Sequence, residues 1–201
     1  MLGRPIYAYR RGTLNPRRRI LVVGNIHGDE PAGDRVVAGL LRQLGMLHVE
    51  VWLLPSINPD GTAAGRHGNA HGVDLNRNFP FRWQAQHADS RHDGGPYAAS
   101  EPETRAYMAF VQAYRFQTVV IFHQPLGCVD YSNSLPQLTQ RMAAVLGEAT
   151  CTLGSHSGSN AGWTQAVVPG SVVLTVELPA RAGDRLVGRA VTGVRQVASL
   201  R

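Results

Sequence analysis

Arg19-Ile20-Leu21-Val22-Val23-Gly24-Asn25-Ile26-His27-Gly28-Asp29-Glu30-Pro31 decides how the rest of the chain is read. Arg19 to Val23 is a short, β-branched apolar run, the pattern of a parallel strand buried on both faces. The polar residues that follow therefore stand at the strand's carboxyl end, where loops leaving adjacent strands of an open α/β sheet diverge and ligands bind. His27 and Glu30 are separated by two residues, so one turn can aim an imidazole and a carboxylate at a single point, as a zinc ion requires. Pro31 suits the first turn of a helix. Alone, such a pair is most often a polar loop with an acidic helix start. A metal centre needs a third ligand, a general base and an anion clamp elsewhere.

The chain has 201 residues, 43% of them hydrophobic, enough for a continuous core and read as a single domain over 1–201. No apolar run approaches the ~20 residues that span a bilayer. Met1-Leu2-Gly3-Arg4-Pro5 lacks an apolar signal core, so a cytoplasmic location is expected, with no membrane partner. Cys128 and Cys151 lack C-x-x-C spacing and are expected to be reduced and structural. The net charge is +6, and all 20 basic residues are arginine, which reads as the codon bias of a GC-rich genome. The one basic run, Arg17-Arg18-Arg19, leads into a strand, so no nucleic-acid partner is expected, although such a surface tolerates anionic substrates. The oligomeric state is left open.

Outward from the first stretch, Ile6 to Tyr9 alternates as an edge strand closed by turn residues Gly12 to Pro16. Pro31 to Leu44 carries Val36, Val37, Leu40, Leu41 and Leu44 at helical spacing and ends at Gly45. Val49 to Leu54 is a second strand that delivers Asn58-Pro59-Asp60-Gly61, a tight-turn signal. Thr62 to Pro96 has no period, and so long a loop is usually functional. Ser100 to Glu103 reads as a capping box opening a helix to about Arg115. Thr118 to Phe122 is a third buried strand, with His123 at its end. Leu135 to Leu146 is helical, and Cys151 to Pro169 is a Gly- and Ser-rich segment read as a mobile loop over the site. Val172 to Val176 is a further strand ending in Glu177, and Asp184 to Leu200 is an amphipathic helix. This alternation predicts a three-layer α/β/α fold on a mixed, mostly parallel sheet.

Strands ending near Gly24, Phe122 and Val176 then present His27 with Glu30, His123, and Glu177 at one rim. Two histidines and a carboxylate leave zinc one open position, the catalytic arrangement, in which the ion lowers the pKa of a water towards ~7 and polarises a carbonyl. Glu177 is the candidate general base. Asn76 and Arg77 supply donors for a substrate carboxylate, and Arg66 is the candidate for stabilising an oxyanion. His67 and His71, with His48, His87 and His92, are read as solvent-facing or turn residues, since Gly65, Gly68 and Gly72 argue against a helix.

His27-x-x-Glu30, Asn58-Pro59-Asp60-Gly61, Asp74-Leu75-Asn76-Arg77-Asn78-Phe79-Pro80, His123 and Val176-Glu177-Leu178 follow the order of the zinc carboxypeptidase family, which the chain resembles from about Ile20 to Pro179. The Gly72 to Pro80 wording and the compact size are similar to the branch that cuts murein peptides. That resemblance implies one zinc held by His27, Glu30 and His123, Glu177 as base, and Asn76 with Arg77 on the free C-terminal carboxylate of a small peptide. It also implies cleavage of the γ-D-glutamyl-meso-diaminopimelate bond. Digestive relatives carry a tyrosine before the catalytic glutamate, but residues 151–176 contain none, leaving His156 or Trp163 as candidates for its place. The same segment has no Asp or Glu to receive a lysine-like side chain, and Gln124 stands where those relatives have serine. The competing readings are an N-acyl-amino-acid deacylase of the aspartoacylase and succinylglutamate desuccinylase kind, and a zinc module that binds murein peptides without cutting them.

Overall fold

Strand alternation sets the layers. The computed structural model describes residues 2–13, 18–43, 49–85 and 90–199. Its strands are β1 (Tyr9–Gly12), β2 (Arg19–Asn25), β3 (Glu50–Ser56), β4 (Thr118–His123), β5 (Cys128–Asp130), β6 (Ala149–Cys151) and β7 (Val172–Glu177). They form one sheet in the order β1-β3-β2-β4-β7-β5-β6. Pairings β3-β2, β2-β4, β4-β7 and β5-β6 are parallel, and β1-β3 and β7-β5 are antiparallel, so the sheet is mixed and mostly parallel as expected.

Ile20, Val22, Val120, Phe122, Val129, Leu174 and Val176 enter one core, and Leu21, Val23, Val119, Ile121 and Val173 enter the other, as the two-residue period of a strand dictates. The helices are α1 (Ala32–Gln43), α2 (Pro59–Ala64), α3 (Pro102–Tyr114), α4 (Pro136–Leu146), α5 (Asn160–Val167) and α6 (Asp184–Ser199). Apolar residues of α1, α4 and α6 fill the first core, and those of α3 and α5 the second. The same parity places the chemistry. Because Phe122, Val129 and Val176 face the first core, His123, Asp130 and Glu177 emerge on the opposite face of the sheet.

Several expectations are corrected. The edge strand is Tyr9–Gly12 rather than Ile6 to Tyr9, paired antiparallel with β3. Asn58 to Gly61 opens α2 instead of a bare turn, because the Asn58 side chain accepts from the Gly61 N–H at 2.9 Å and Pro59 fits the first turn. No capping box forms at Ser100: its hydroxyl donates to Glu101 at 2.8 Å, and the helix starts after Glu101 with Pro102. The 151–169 segment is not a simple loop, since α5 lies within it, capped by Ser159. Cys128 and Cys151 are joined in a disulfide between β5 and β6, which parallel pairing brings side by side across 23 residues of sequence. Leu14 to Arg17, Leu44, Gly45, His48, His87 and Leu200 lie outside the described residues. No described helix is long and apolar enough to cross a membrane.

Candidate metal centre and active site

β2, β4 and β7 supply the expected residues at one rim. His27 follows β2 in a turn closed by the Glu30 N–H donating to the His27 carbonyl at 3.2 Å. Asn58, fully buried, donates to the carbonyls of Ile26 at 3.1 Å and His67 at 3.2 Å, which fastens this turn to the next loop. His123 ends β4, and its register partner on β7 is Glu177, so the parallel ladder sets the two side by side. His27 Nδ1 lies 2.9 Å from Glu30 Oε1, and His123 Nδ1 lies 3.1 Å from Glu30 Oε2. One ligand atom from each of His27, Glu30 and His123 lies within 4.8 Å of the others, and all three residues are buried. Two imidazole nitrogens and a carboxylate oxygen converging from buried residues fit a zinc ion.

Asp74 completes the support. It is fully buried, caps a single 3₁₀ turn by accepting from the Asn76 N–H at 2.8 Å, and places Oδ1 3.1 Å from His27 Nε2. A carboxylate on Nε2 holds that proton in place and leaves Nδ1 to coordinate. Burial penalises the imidazolium of His27, but hydrogen bonds and attraction from Asp74 and Glu30 outweigh it and carry the pKa up to about 9. Burial likewise opposes the charge on Glu30 and on Asp74, and the neighbouring histidines win, so both carboxyls titrate far below their usual range. Glu177 behaves the other way. Burial dominates over its nearest cation-forming neighbour, His123, and raises its pKa, with the Leu126 N–H at 3.5 Å as a weak partner. A buried carboxyl with a raised pKa is suited to receiving a proton.

Asn76 and Arg77 both line the same cavity, of about 280 Å³, with His27, Glu30, His123 and Glu177. The Asn76 side-chain oxygen accepts from the Asn160 N–H at 2.9 Å, which fixes the amide with its oxygen on Asn160. Asn78 plays no part there; it donates to the carbonyls of Gly94 and Tyr97. Arg66 departs from expectation: it is exposed and is not among the cavity's lining residues, and His67 enters in its place. The His67 ring stacks on His27 with centroids 3.8 Å apart, with Nδ1 3.2 Å from Asp29 and Nε2 3.5 Å from Asp74. His67 and His92 are therefore cavity residues, not solvent-facing ones, whereas His71 is mostly exposed and pairs with Glu101.

Of the two candidates for the missing tyrosine's place, Trp163 is in the core against Phe79 and Tyr107, and His156 lines the cavity. Burial and the adjacent Arg77 charge lower the His156 pKa, so its ring is neutral at neutral pH. Asp74 belongs to a sequence motif, whereas Asp130, buried in the cavity wall, belongs to none. The signal for Asp130 was strand parity on β5, legible only once that strand was placed beside β7.

Comparison with known proteins follows the same lines. A family model described as zinc carboxypeptidase matches residues 1–134. Murein peptide amidase A of Escherichia coli K12 is 32% identical over 142 residues, which covers 65% of this chain and 58% of that relative, so the chain spans little more than half the relative's length. The crystal structure of the murein-tripeptide amidase from Escherichia coli O157 superposes with a TM-score of 0.75 at 25% identity, covering 96% of this chain and 86% of that one. Carboxypeptidase A from Helicoverpa armigera superposes with a TM-score of 0.82 at 18% identity, covering 98% of this chain and 65% of that one, which is a likeness of fold.

Proposed function

This chain belongs to the zinc carboxypeptidase family, and from that premise we propose that it hydrolyses the amide bond next to a free C-terminal amino acid, the bond being γ-D-glutamyl-meso-diaminopimelate in murein peptides. The observation that carries the reading is the convergence of His27, Glu30 and His123 with Glu177 in one cavity that Asn76 and Arg77 also line. Similarity to murein peptide amidase A supports the choice of bond.

His27, Glu30 and His123 hold the zinc. When bound, such an ion supplies Lewis acidity toward a water and a carbonyl. Glu177 takes the proton of the attacking water and delivers it to the nitrogen of the leaving amine, a transfer that its raised pKa favours. Arg77 and the Asn76 amide hold the terminal carboxylate and so fix which bond lies beside Glu177. Asp74 keeps the His27 ring in the ligating tautomer. With Arg66 outside the cavity, the arginines that line it are Arg77 and Arg91, and Arg91 is paired with Asp29 at 3.1 Å. The reading places the enzyme in the cytoplasm, where recovered wall peptides are its substrate.

The test is product identification. Zinc-loaded protein is incubated separately with L-alanyl-γ-D-glutamyl-meso-diaminopimelate and with N-succinylglutamate. Release of diaminopimelate from the first alone supports the proposal. Release of succinate from the second alone replaces it with the deacylase reading, and no product from either, with zinc bound, favours a binding module.

A further inference from the structure

We propose that Asp130 selects substrates whose C-terminal residue carries an ammonium group on its side chain. The proposal rests on the reading of the cavity as a carboxypeptidase-type site and names the side chain that site prefers. Asp130 ends β5 on the same face of the sheet as Glu177, because Cys128, two residues earlier, is the register partner of Glu177. On its other side Asp130 is the register partner of Cys151 on β6. Two strands and the disulfide thus hold the carboxylate rigidly in the cavity wall.

Its hydrogen bonds do not account for its charge. Oδ1 accepts from the Ser132 N–H at 3.0 Å, the Ser132 hydroxyl at 2.7 Å and the Leu153 N–H at 2.9 Å. All three donors are neutral and converge on one oxygen, so an asparagine would serve that turn as well. Among the described residues no arginine or histidine forms an ion pair with Asp130, although the residue is only 2% exposed. A buried carboxylate without a counter-ion is costly, and the cost falls when a cation enters. The arginines that line the cavity, Arg77 and Arg91, lie on other segments, and Arg77 is the residue assigned above to the terminal carboxylate. The cavity is thus two-signed. It suits an amino acid that presents its α-carboxylate to Arg77 and a side-chain ammonium to Asp130, as lysine and diaminopimelate both can. The acidic receptor sought in residues 151–176 lies instead on β5.

The test crosses linkage with side chain, using γ-D-glutamyl-L-lysine, γ-D-glutamyl-L-norleucine, L-alanyl-L-lysine and L-alanyl-L-norleucine, norleucine being lysine without its ammonium. Wild-type enzyme is expected to prefer lysine over norleucine by about 10- to 100-fold in kcat/KM within whichever linkage it cuts. Asp130→Asn, which keeps the Oδ1 acceptor, is expected to bring that ratio to within about 3-fold, the loss falling on KM for the lysine peptides rather than on kcat. A wild type indifferent to the ammonium, or an Asp130→Asn enzyme that keeps the preference, overturns the proposal. Cleavage of the α-linked pair alone, with the lysine preference intact, rejects the γ-glutamyl bond and leaves Asp130 standing. If the variant does not fold, inhibition of wild type decides: free L-lysine acting at a concentration at least about 10-fold lower than L-norleucine supports the proposal, and equal inhibition sinks it.

Discussion

Asp74 touches no substrate in this scheme, yet it holds the ring of a candidate metal ligand, His27. Its Oδ1 both caps the turn that presents Asn76 and Arg77 and faces His27 Nε2, so one buried carboxylate couples the anion clamp to the ligand ring. Asp74→Asn is expected to weaken zinc binding by about 10- to 100-fold, measured by competition with a chromogenic chelator, because the tautomer of His27 is no longer enforced. Glu177 differs in kind. Glu177→Gln is expected to bind zinc as wild type does and to lose at least about 100-fold in kcat, since the amide cannot accept the water's proton. A variant that turns over normally would remove Glu177 from the mechanism.

At the scale of elements, the loop before α5 is held on backbone contacts that admit only glycine. Gly158 has φ +68°, its N–H donates to the Phe81 carbonyl at 2.7 Å, and its carbonyl accepts from the Phe79 N–H at 3.0 Å. A Cβ there would fall 2.0 Å from the Arg77 carbonyl oxygen. Gly158→Ala is therefore expected to displace Arg77 and to raise KM by about 10-fold or more, with zinc content unchanged, in steady-state assays. Helix α1 holds a different cost. Burial pushes the Asp34 carboxyl up to about 7, and its Oδ1 is without a hydrogen bond. A carboxyl whose pKa is raised on folding stabilises the fold at low pH, and that contribution is lost as pH climbs through about 7. Asp34→Asn is thus expected to be more stable than wild type at pH 8, by on the order of 2 kcal/mol, and to lose that gain at pH 4, read from urea unfolding at the two pH values.

Over the whole molecule, the sheet's far side is cross-linked by the disulfide. β5 and β6 are three-residue strands at one edge, and the Cys128–Cys151 link encloses α4 between them. Cys128→Ser with Cys151→Ser is expected to lower stability by about 2–4 kcal/mol, measured by thermal unfolding, with reductant lowering wild type to the level of the variant. Since such links persist mainly in oxidising compartments, thiol counting on rapidly quenched cells also tests the cytoplasmic placement. Blocked thiols there would move the enzyme out of the cytoplasm.

Apolar runs and motif spacing were enough, by themselves, to determine the three-layer mixed sheet and the strand ends that carry His27, Glu30, His123 and Glu177. Such features are local: a strand's period tells which residues share a face, and a short loop leaves its side chains little freedom. Tertiary structure alone decided the rest. Arg66 and His67 are adjacent letters in a segment without period, and only the path of the 62–74 stretch, pinned through Asn58, turns the histidine in and the arginine out. The pairing of Cys128 with Cys151 and the arrival of Asp130 beside Glu177 arise from β5 inserting between β6 and β7, contacts between chain segments dozens of residues apart. No local preference encodes such a neighbour, because it is selected by how the whole core packs.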